Sequence, residues 1–255
     1  MLSKEGFDLR DPRFFVNQDN ALQMIIGGSI INEKDETTMM IPHVAILKEG
    51  HWSLSEATVD PSTNGSRGQW IWRVTWNAYD HHGYALSYGK SYTVSLMRTA
   101  DGFTFEKIAD IGESFTNLSE GTLRFKSDGT VIALIRGKRD GLIGTSNPND
   151  GYTKWSLNLV PFRVGGPNFL ISKQENYMLA GTRHFFLNDD NTLDEATILG
   201  FMDERSLTPS IRLKSHFDNS YPGMVLEEDG SITVIYYSGE SEEKSNIYIT
   251  RVVVE

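Results

Sequence analysis

Short apolar runs that are hydrophobic at consecutive positions must be covered on both faces, and this 255-residue chain repeats such a run five times. They are Leu22 to Gly28, Tyr84 to Gly89, Thr130 to Ile135, Tyr177 to Gly181 and Ile232 to Ser238. Each follows a first strand that opens on a polar, Gly or Pro residue, and then a polar turn. The first strands begin near Asp11-Pro12-Arg13, Trp72-Arg73, Glu120-Gly121, Gly166-Pro167-Asn168 and Tyr221-Pro222. The turns fall near Asp19, Asp80, Asp128, Gln174 and Asp229, 46 to 61 residues apart. A third strand follows in every copy and a more polar fourth in the first four. A two-layer sandwich buries one face of each sheet, whereas a radial array packs a neighbour against both. The pattern predicts an all-β fold, a five-bladed β-propeller of four-stranded antiparallel blades, with residues 1–255 as a single domain. The fifth copy ends in its third strand; Leu2 to Leu9 are a candidate for its outer strand, and a ring left open there is the alternative.

Composition narrows the function classes. Twenty-three glycines, 11% aromatics and the lack of a long amphipathic helix agree with many short strands. A net charge of −10, with no basic stripe beyond Arg136 to Arg139, argues against a nucleic-acid partner. Without cysteine there is no disulfide framework and no thiolate nucleophile or metal ligand. No apolar run approaches the roughly 18 residues that span a bilayer, so no membrane partner is expected. The opening residues MLSKEGFDLRDPRFF carry no signal-peptide core. The expectation is a cytoplasmic protein if the chain is complete, and a periplasmic or secreted one if an export signal has been removed. The six histidines form no metal-ligand spacing, and no cofactor is implied.

In a propeller the first strands line the centre, so Asp11, Arg13, Arg73, Glu120, Asn168 and Tyr221 are expected to converge. In the hairpin Ser119 to Arg136, Glu120 and Arg136 sit symmetrically about the Ser127-Asp128-Gly129 turn and fall at one end of it. Breaking a glycosidic bond needs an acid at the leaving oxygen and a base or nucleophile on the other face of the sugar. Arginines supply bidentate recognition of a carboxylate. The plainer readings stand beside these: an architectural Glu120–Arg136 ion pair, an Arg13–Asp11 pair, and Trp70, Trp72 and Trp76 as core between blades. Trp70, at the start of its strand, is also a candidate sugar-stacking platform. Asp101 and Asp128 read as turn residues.

At these residues the sequence resembles the bacterial sialidases and their Asp-box (BNR repeat) propellers. Glu120 followed by Arg136 fits that family's activating Glu and one of its carboxylate-binding arginines. Asn219-Ser220-Tyr221 resembles the strand that bears its nucleophilic Tyr. Arg183 stands near another arginine of the triad, and Thr99 to Phe105 resembles an Asp box one residue short. The resemblance implies that Glu120 activates Tyr221, that Asp35 donates the proton, and that Arg13, Arg136 and Arg183 hold an acidic sugar; Asp11 is a further candidate acid, and Arg73 and Asn168 are further candidate sugar ligands from their place in the first strands. Two departures are the blade count, six in those enzymes, and Asp11-Pro12-Arg13 in place of the opening Arg-Ile-Pro.

A second resemblance is to furanosidase and xylosidase propellers that open on an Asp-Pro base and use a Glu-Gly acid in the third blade. Asp11-Pro12 and Glu120-Gly121 fit that phrase, while the second blade has Trp72-Arg73 in place of the family's pKa-tuning Asp. The functions expected are therefore a sialidase-like glycoside hydrolase acting on a glycan, an inverting hydrolase using Asp11 and Glu120, or a non-catalytic carbohydrate-binding propeller.

Overall fold

The computed structural model describes residues 2–63, 68–89, 93–115, 117–187, 191–241 and 244–254. Its first sheet is β1 (Asp8–Val16), β2 (Leu22–Ile31), β3 (Thr37–Lys48) and β4 (His51–Glu56). The second holds β5 (Thr58–Val59), β6 (Gln69–Asn77), β7 (His82–Gly89), β8 (Val94–Thr99) and β9 (Thr104–Ile111), in the order β5-β9-β8-β7-β6. The third is β10 (Gly121–Phe125), β11 (Val131–Ile135), β12 (Gly141–Ser146) and β13 (Ser156–Val160). The fourth is β14 (Gly165–Ile171), β15 (Met178–Leu187), β16 (Leu193–Met202) and β17 (Leu207–Arg212). The fifth is β18 (Asn219–Leu226), β19 (Ile232–Ser241) and β20 (Lys244–Val252). Successive sheets of sequential antiparallel strands make the fold a five-bladed β-propeller.

The chain divides into two compact units, with the boundary inside β11: Met1–Val131 with Ser146–Trp155, and Ile132–Thr145 with Ser156–Glu255. In the first unit, Ile25 of β2 joins Phe15, Val44, Ile71, Val74, Ala85, Met97 and Phe105 in one cluster, while its neighbours Met24 and Ile26 enter another with Ala45. Successive side chains of a strand point to opposite faces, so both faces of β2 are buried. The second unit repeats this: Met178 and Ala180 of β15 pack in one cluster and Leu179 in the next. Each such side chain contributes roughly 1.5–3 kcal/mol on burial, which is what the continuous apolar runs encode.

One expectation is overturned. Leu2 to Leu9 do not form a fourth strand on the fifth sheet, which has three strands among the described residues. Asp8 and Leu9 instead lie in β1, paired with Ser29 and Gly28, and Leu2 and Leu9 pack on the Met24–Ile26–Ala45 cluster. Lys4 pairs with Glu56 of β4 and the Phe7 ring meets His43 edge-on, 4.8 Å between centroids. Three apolar side chains and one ion pair, all satisfied within the first sheet, hold the segment there.

Two of the turns between third and fourth strands are closed by carboxylates. In the β8–β9 turn, Asp101 Oδ1 accepts from the amides of Phe103 (2.7 Å) and Thr104 (2.8 Å), and Thr99 Oγ1 accepts from Gly102 N (2.8 Å). Gly102 takes φ 80°, the left-handed region that glycine enters freely. Burial raises the Asp101 pKa, but the amide and hydroxyl hydrogen bonds outweigh it and hold the group below the ordinary value. In the β16–β17 turn, Asp203 Oδ1 accepts in the same way from the amides of Arg205 and Ser206, each 2.7 Å away.

Candidate active site

Four of the five first strands are interrupted at the same place. The register slips between Arg10 and Arg13, between Ile71 and Val74, between Gly165 and Asn168, and between Ser220 and Gly223. Two residues then face one on the partner strand: Asp11-Pro12, Trp72-Arg73, Gly166-Pro167 and Tyr221-Pro222. A β-bulge leaves its extra residue out of the ladder and re-aims it. Proline tolerates such a position because no ladder hydrogen bond is asked of it. Asp11, Gly166 and Tyr221 have φ of 55°, 57° and 49°, strained for the two that carry a Cβ. In sequence phase, Glu120-Gly121 is the matching pair of the third copy, with Glu120 immediately before β10 and Gly121 its first residue.

Within the first unit the bulges gather a charged group. Asp11 is partly buried, and its carboxyl titrates above the ordinary value, chiefly through burial. The Arg13 charge opposes that rise, the Glu120 carboxylate adds to it and Arg10 opposes it. Asp11 and Glu120 are therefore within electrostatic reach of each other, and Glu120 is 7% exposed. Arg13 Nη2 lies 3.9 Å from Asp11 Oδ1, and its Nη1 donates to the Pro12 carbonyl at 2.9 Å. The guanidinium rests on the face of Trp72, 4.5 Å from the ring centroid. Trp72 is 2% exposed, so this cation–π contact fixes the arginine beside the acid.

Arg73, the second residue of its bulge, is deep in the unit yet keeps some open surface. Burial and the like charges of Arg124 and Arg13 push its pKa well down, and its Nε has no hydrogen-bond partner among the described residues. Trp70 donates from Nε1 to the Gly28 carbonyl at 3.2 Å and meets Tyr88 edge-on, which makes it part of the packing between β2 and β6. Asp35 is exposed at φ 58° in the β2–β3 turn, where Asn32 Oδ1 binds the amides of Lys34 and Glu36.

The second unit holds the other expected residues. Tyr221 is half-buried, its ring stacked on Tyr237 with centroids 5.9 Å apart and planes 16° from parallel. Tyr237 donates from its hydroxyl to Asp218 Oδ2 at 2.7 Å, and burial, followed by that hydrogen bond, raises its pKa. Arg183 Nη1 binds Asp218 Oδ1 at 2.8 Å and Glu195 Oε2 at 3.4 Å, so its charge is shared by two acids. Asn168 is 1% exposed; its Nδ2 donates to the Pro222 carbonyl at 2.8 Å and its Oδ1 accepts from Phe169 N at 3.0 Å. The Nδ2 end of that amide ties β14 to β18, and the Oδ1 end stays within β14. Arg136 is partly buried just beyond β11.

No family model matches the sequence, and no curated protein sequence matches it. Solved structures do match its fold. One is a protein of unknown function from Dyadobacter fermentans, with 14% identity, TM-score 0.76, and coverage of 100% of this chain and 79% of that one. A Penicillium chrysogenum α-L-arabinanase complexed with arabinobiose has 14% identity and TM-score 0.66, covering 95% of this chain and 77% of that one. A NanB sialidase from Streptococcus pneumoniae has 9% identity and TM-score 0.67, covering 99% of this chain but 57% of that one. At these identities the likeness is one of fold.

Sequence reasoning named Asp11, Arg13 and Glu120, but it treated Trp72 as core alone and missed its second role as the surface that carries Arg13. Xaa-Pro recurring at one phase, in Asp11-Pro12, Gly166-Pro167 and Tyr221-Pro222, was the available signal for the bulges. The acids that hold Arg183 left no local signal, since Asp218 lies 35 residues from it.

Proposed function

We propose that this chain is a glycoside hydrolase whose acid–base pair is Asp11 and Glu120. The observation that carries the reading is the charge of Glu120 acting on the bulged Asp11 carboxyl in the first unit, behind the larger effects of burial and Arg13. Two carboxyl groups in one site are what the chemistry requires: one protonated to serve the leaving oxygen, the other ionised to serve the attacking water. The arabinanase among the matching folds supports the same class. Asp11 takes the base role and Glu120 the acid role, as the Asp-Pro and Glu-Gly phrases of the furanosidase and xylosidase resemblance imply. It takes a proton from water as the water oxygen bonds to the anomeric carbon. Glu120 gives its proton to the departing sugar oxygen as the old bond breaks, and solvent then exchanges the two protons back. Arg13, held on Trp72, stabilises ionised Asp11 and orients it.

The test is hydrolysis of a panel of nitrophenyl arabinofuranosides, xylosides and sialosides, with product configuration followed by NMR. The account expects an inverted product and a loss of about 100-fold or more in Asp11→Asn. Glu120→Gln should spare activated leaving groups relative to natural linkages. A second reading, sialidase-like, makes Tyr221 the nucleophile; its strained backbone at a bulge favours it. It predicts a retained configuration, a preference for acidic sugars and abolition of turnover in Tyr221→Phe. Retention would therefore reject the Asp11–Glu120 mechanism.

A further inference from the structure

The bulge in β6 sets Trp72 and Arg73 where the ladder skips from the Ile71–Ser87 pair to the Val74–Ala85 pair, and a bulge re-aims the residues it frees. Trp72 turns into the core and carries the Arg13 guanidinium on its ring. Arg73 keeps some open surface. Its Nε is sealed from solvent, and among the described residues nothing forms a hydrogen bond or an ion pair with its guanidinium. Nη1 and Nη2 share the lack of a partner but not the seal, so they are the open end of the fork. The arginines on either side are engaged. Arg13 lies 3.9 Å from Asp11 Oδ1, and Arg124 Nη1 donates to Thr75 Oγ1 at 3.0 Å and to the Leu123 carbonyl at 2.7 Å. Burial, then the charges of Arg124 and Arg13, push the Arg73 pKa well down. An arginine nonetheless keeps its proton in a protein, so the guanidinium stays charged.

A largely buried cation without a partner, set between two further cations, destabilises the fold that holds it. Such a group is retained where a ligand supplies the missing charge, and stability is given up for function. Arg73 also borders the acid pair, since Arg13 reaches Asp11 at one end of its guanidinium and rests on the ring next to Arg73. We propose that Arg73 binds the carboxylate of an acidic sugar, so that the glycosides cleaved at Asp11 and Glu120 carry a negative charge. A carboxylate suits the open fork because its two oxygens accept from Nη1 and Nη2 in parallel. The sugar rests on the glycoside hydrolase reading; the anion rests on Arg73.

The experiment is calorimetric titration of the full chain, unaltered and as Arg73→Gln and Arg73→Lys, with D-glucuronate, N-acetylneuraminate, D-glucose and sulfate. At least one of the two sugar acids should bind about 10-fold or more tightly than glucose. Arg73→Gln should lose that preference, and Arg73→Lys, which keeps the charge without the fork, should fall between. Thermal unfolding separates a ligand role from a structural one. Without ligand, Arg73→Gln should melt at the temperature of the unaltered protein or above it, and the sugar acid should raise the melting temperature of the unaltered protein alone. A lower melting temperature in ligand-free Arg73→Gln, a preference that survives this substitution, equal binding of glucose, or no binding of any probe overturns the assignment. Sulfate binding without either sugar acid overturns the sugar. Binding of the free acids is read without turnover, so a chain that binds them at Arg73 and cleaves no glycoside fails the hydrolase reading and not this one.

Discussion

Replacing Asn168 by Ala should destabilise the protein without touching a ligand. Its side chain is 1% exposed and makes two hydrogen bonds, to the Pro222 carbonyl and from the Phe169 amide, with both of those residues buried. Each bond contributes about 1 kcal/mol net, and a buried group left without a partner costs about 1–3 kcal/mol. Allowing for partial relaxation, the expected loss is about 3 kcal/mol. For a chain of this size that corresponds to a fall in Tm of roughly 6–12 °C. Paired urea and thermal unfolding of Asn168→Ala and Asn168→Asp measure it. Asn168→Asp keeps the acceptor for Phe169 but sets a second acceptor against the Pro222 carbonyl and buries a carboxylate, so at neutral pH it should cost at least as much as Asn168→Ala. A midpoint for Asn168→Ala within about 0.5 kcal/mol of the unaltered protein would refute the reasoning, since that is the range of a surface change. It would return Asn168 to the set of ligand-binding candidates.

Other outcomes follow from the same geometry. Asp101→Ala removes two amide hydrogen bonds from the β8–β9 turn and should cost about 1–2 kcal/mol at neutral pH. Because the Asp101 pKa is held below its ordinary value, that contribution is full above the unfolded pKa and fades as pH falls through the folded one. Denaturation midpoints of variant and parent should therefore converge in acid, and a constant gap would contradict this. Gly166→Ala places a Cβ at φ 57° and 2.7 Å from Tyr221 Cδ1. The backbone alone should cost about 1–2 kcal/mol, and the near-ultraviolet dichroism of the Tyr221–Tyr237 pair should change; a neutral substitution would contradict the bulge geometry.

The blades were legible because their signal is local. Met24, Ile25 and Ile26 are consecutive apolar residues, and only a strand buried on both faces uses all three. The β8–β9 turn was legible for the same reason, as Asp101 and its partners lie within five residues. What escaped was set by partners distant in sequence. A bulge is a mismatch between two strands, so Asp11-Pro12 reads as a polar opening until Ile25 and Gly27 are seen opposite its flanks. Leu2 to Leu9 had two sheets to choose between, and the Phe7–His43 and Lys4–Glu56 contacts that decide it join residues more than 30 apart. Of the candidate site, the acids could be named from their phase in the repeat. The Trp72 surface under Arg13 could not, because a tryptophan in a strand looks the same whether or not a cation rests on it.

The central claim is that Asp11 and Glu120 face one another as a pair, and it can be tested without a substrate. Carboxyl-detected NMR titration of Asp11 in the unaltered protein and in Glu120→Gln measures it directly. The account predicts an Asp11 pKa above the ordinary Asp value that falls when the Glu120 charge is removed. An Asp11 that titrates at the ordinary value, or is indifferent to Glu120→Gln, would contradict the pairing and the acid–base mechanism built on it.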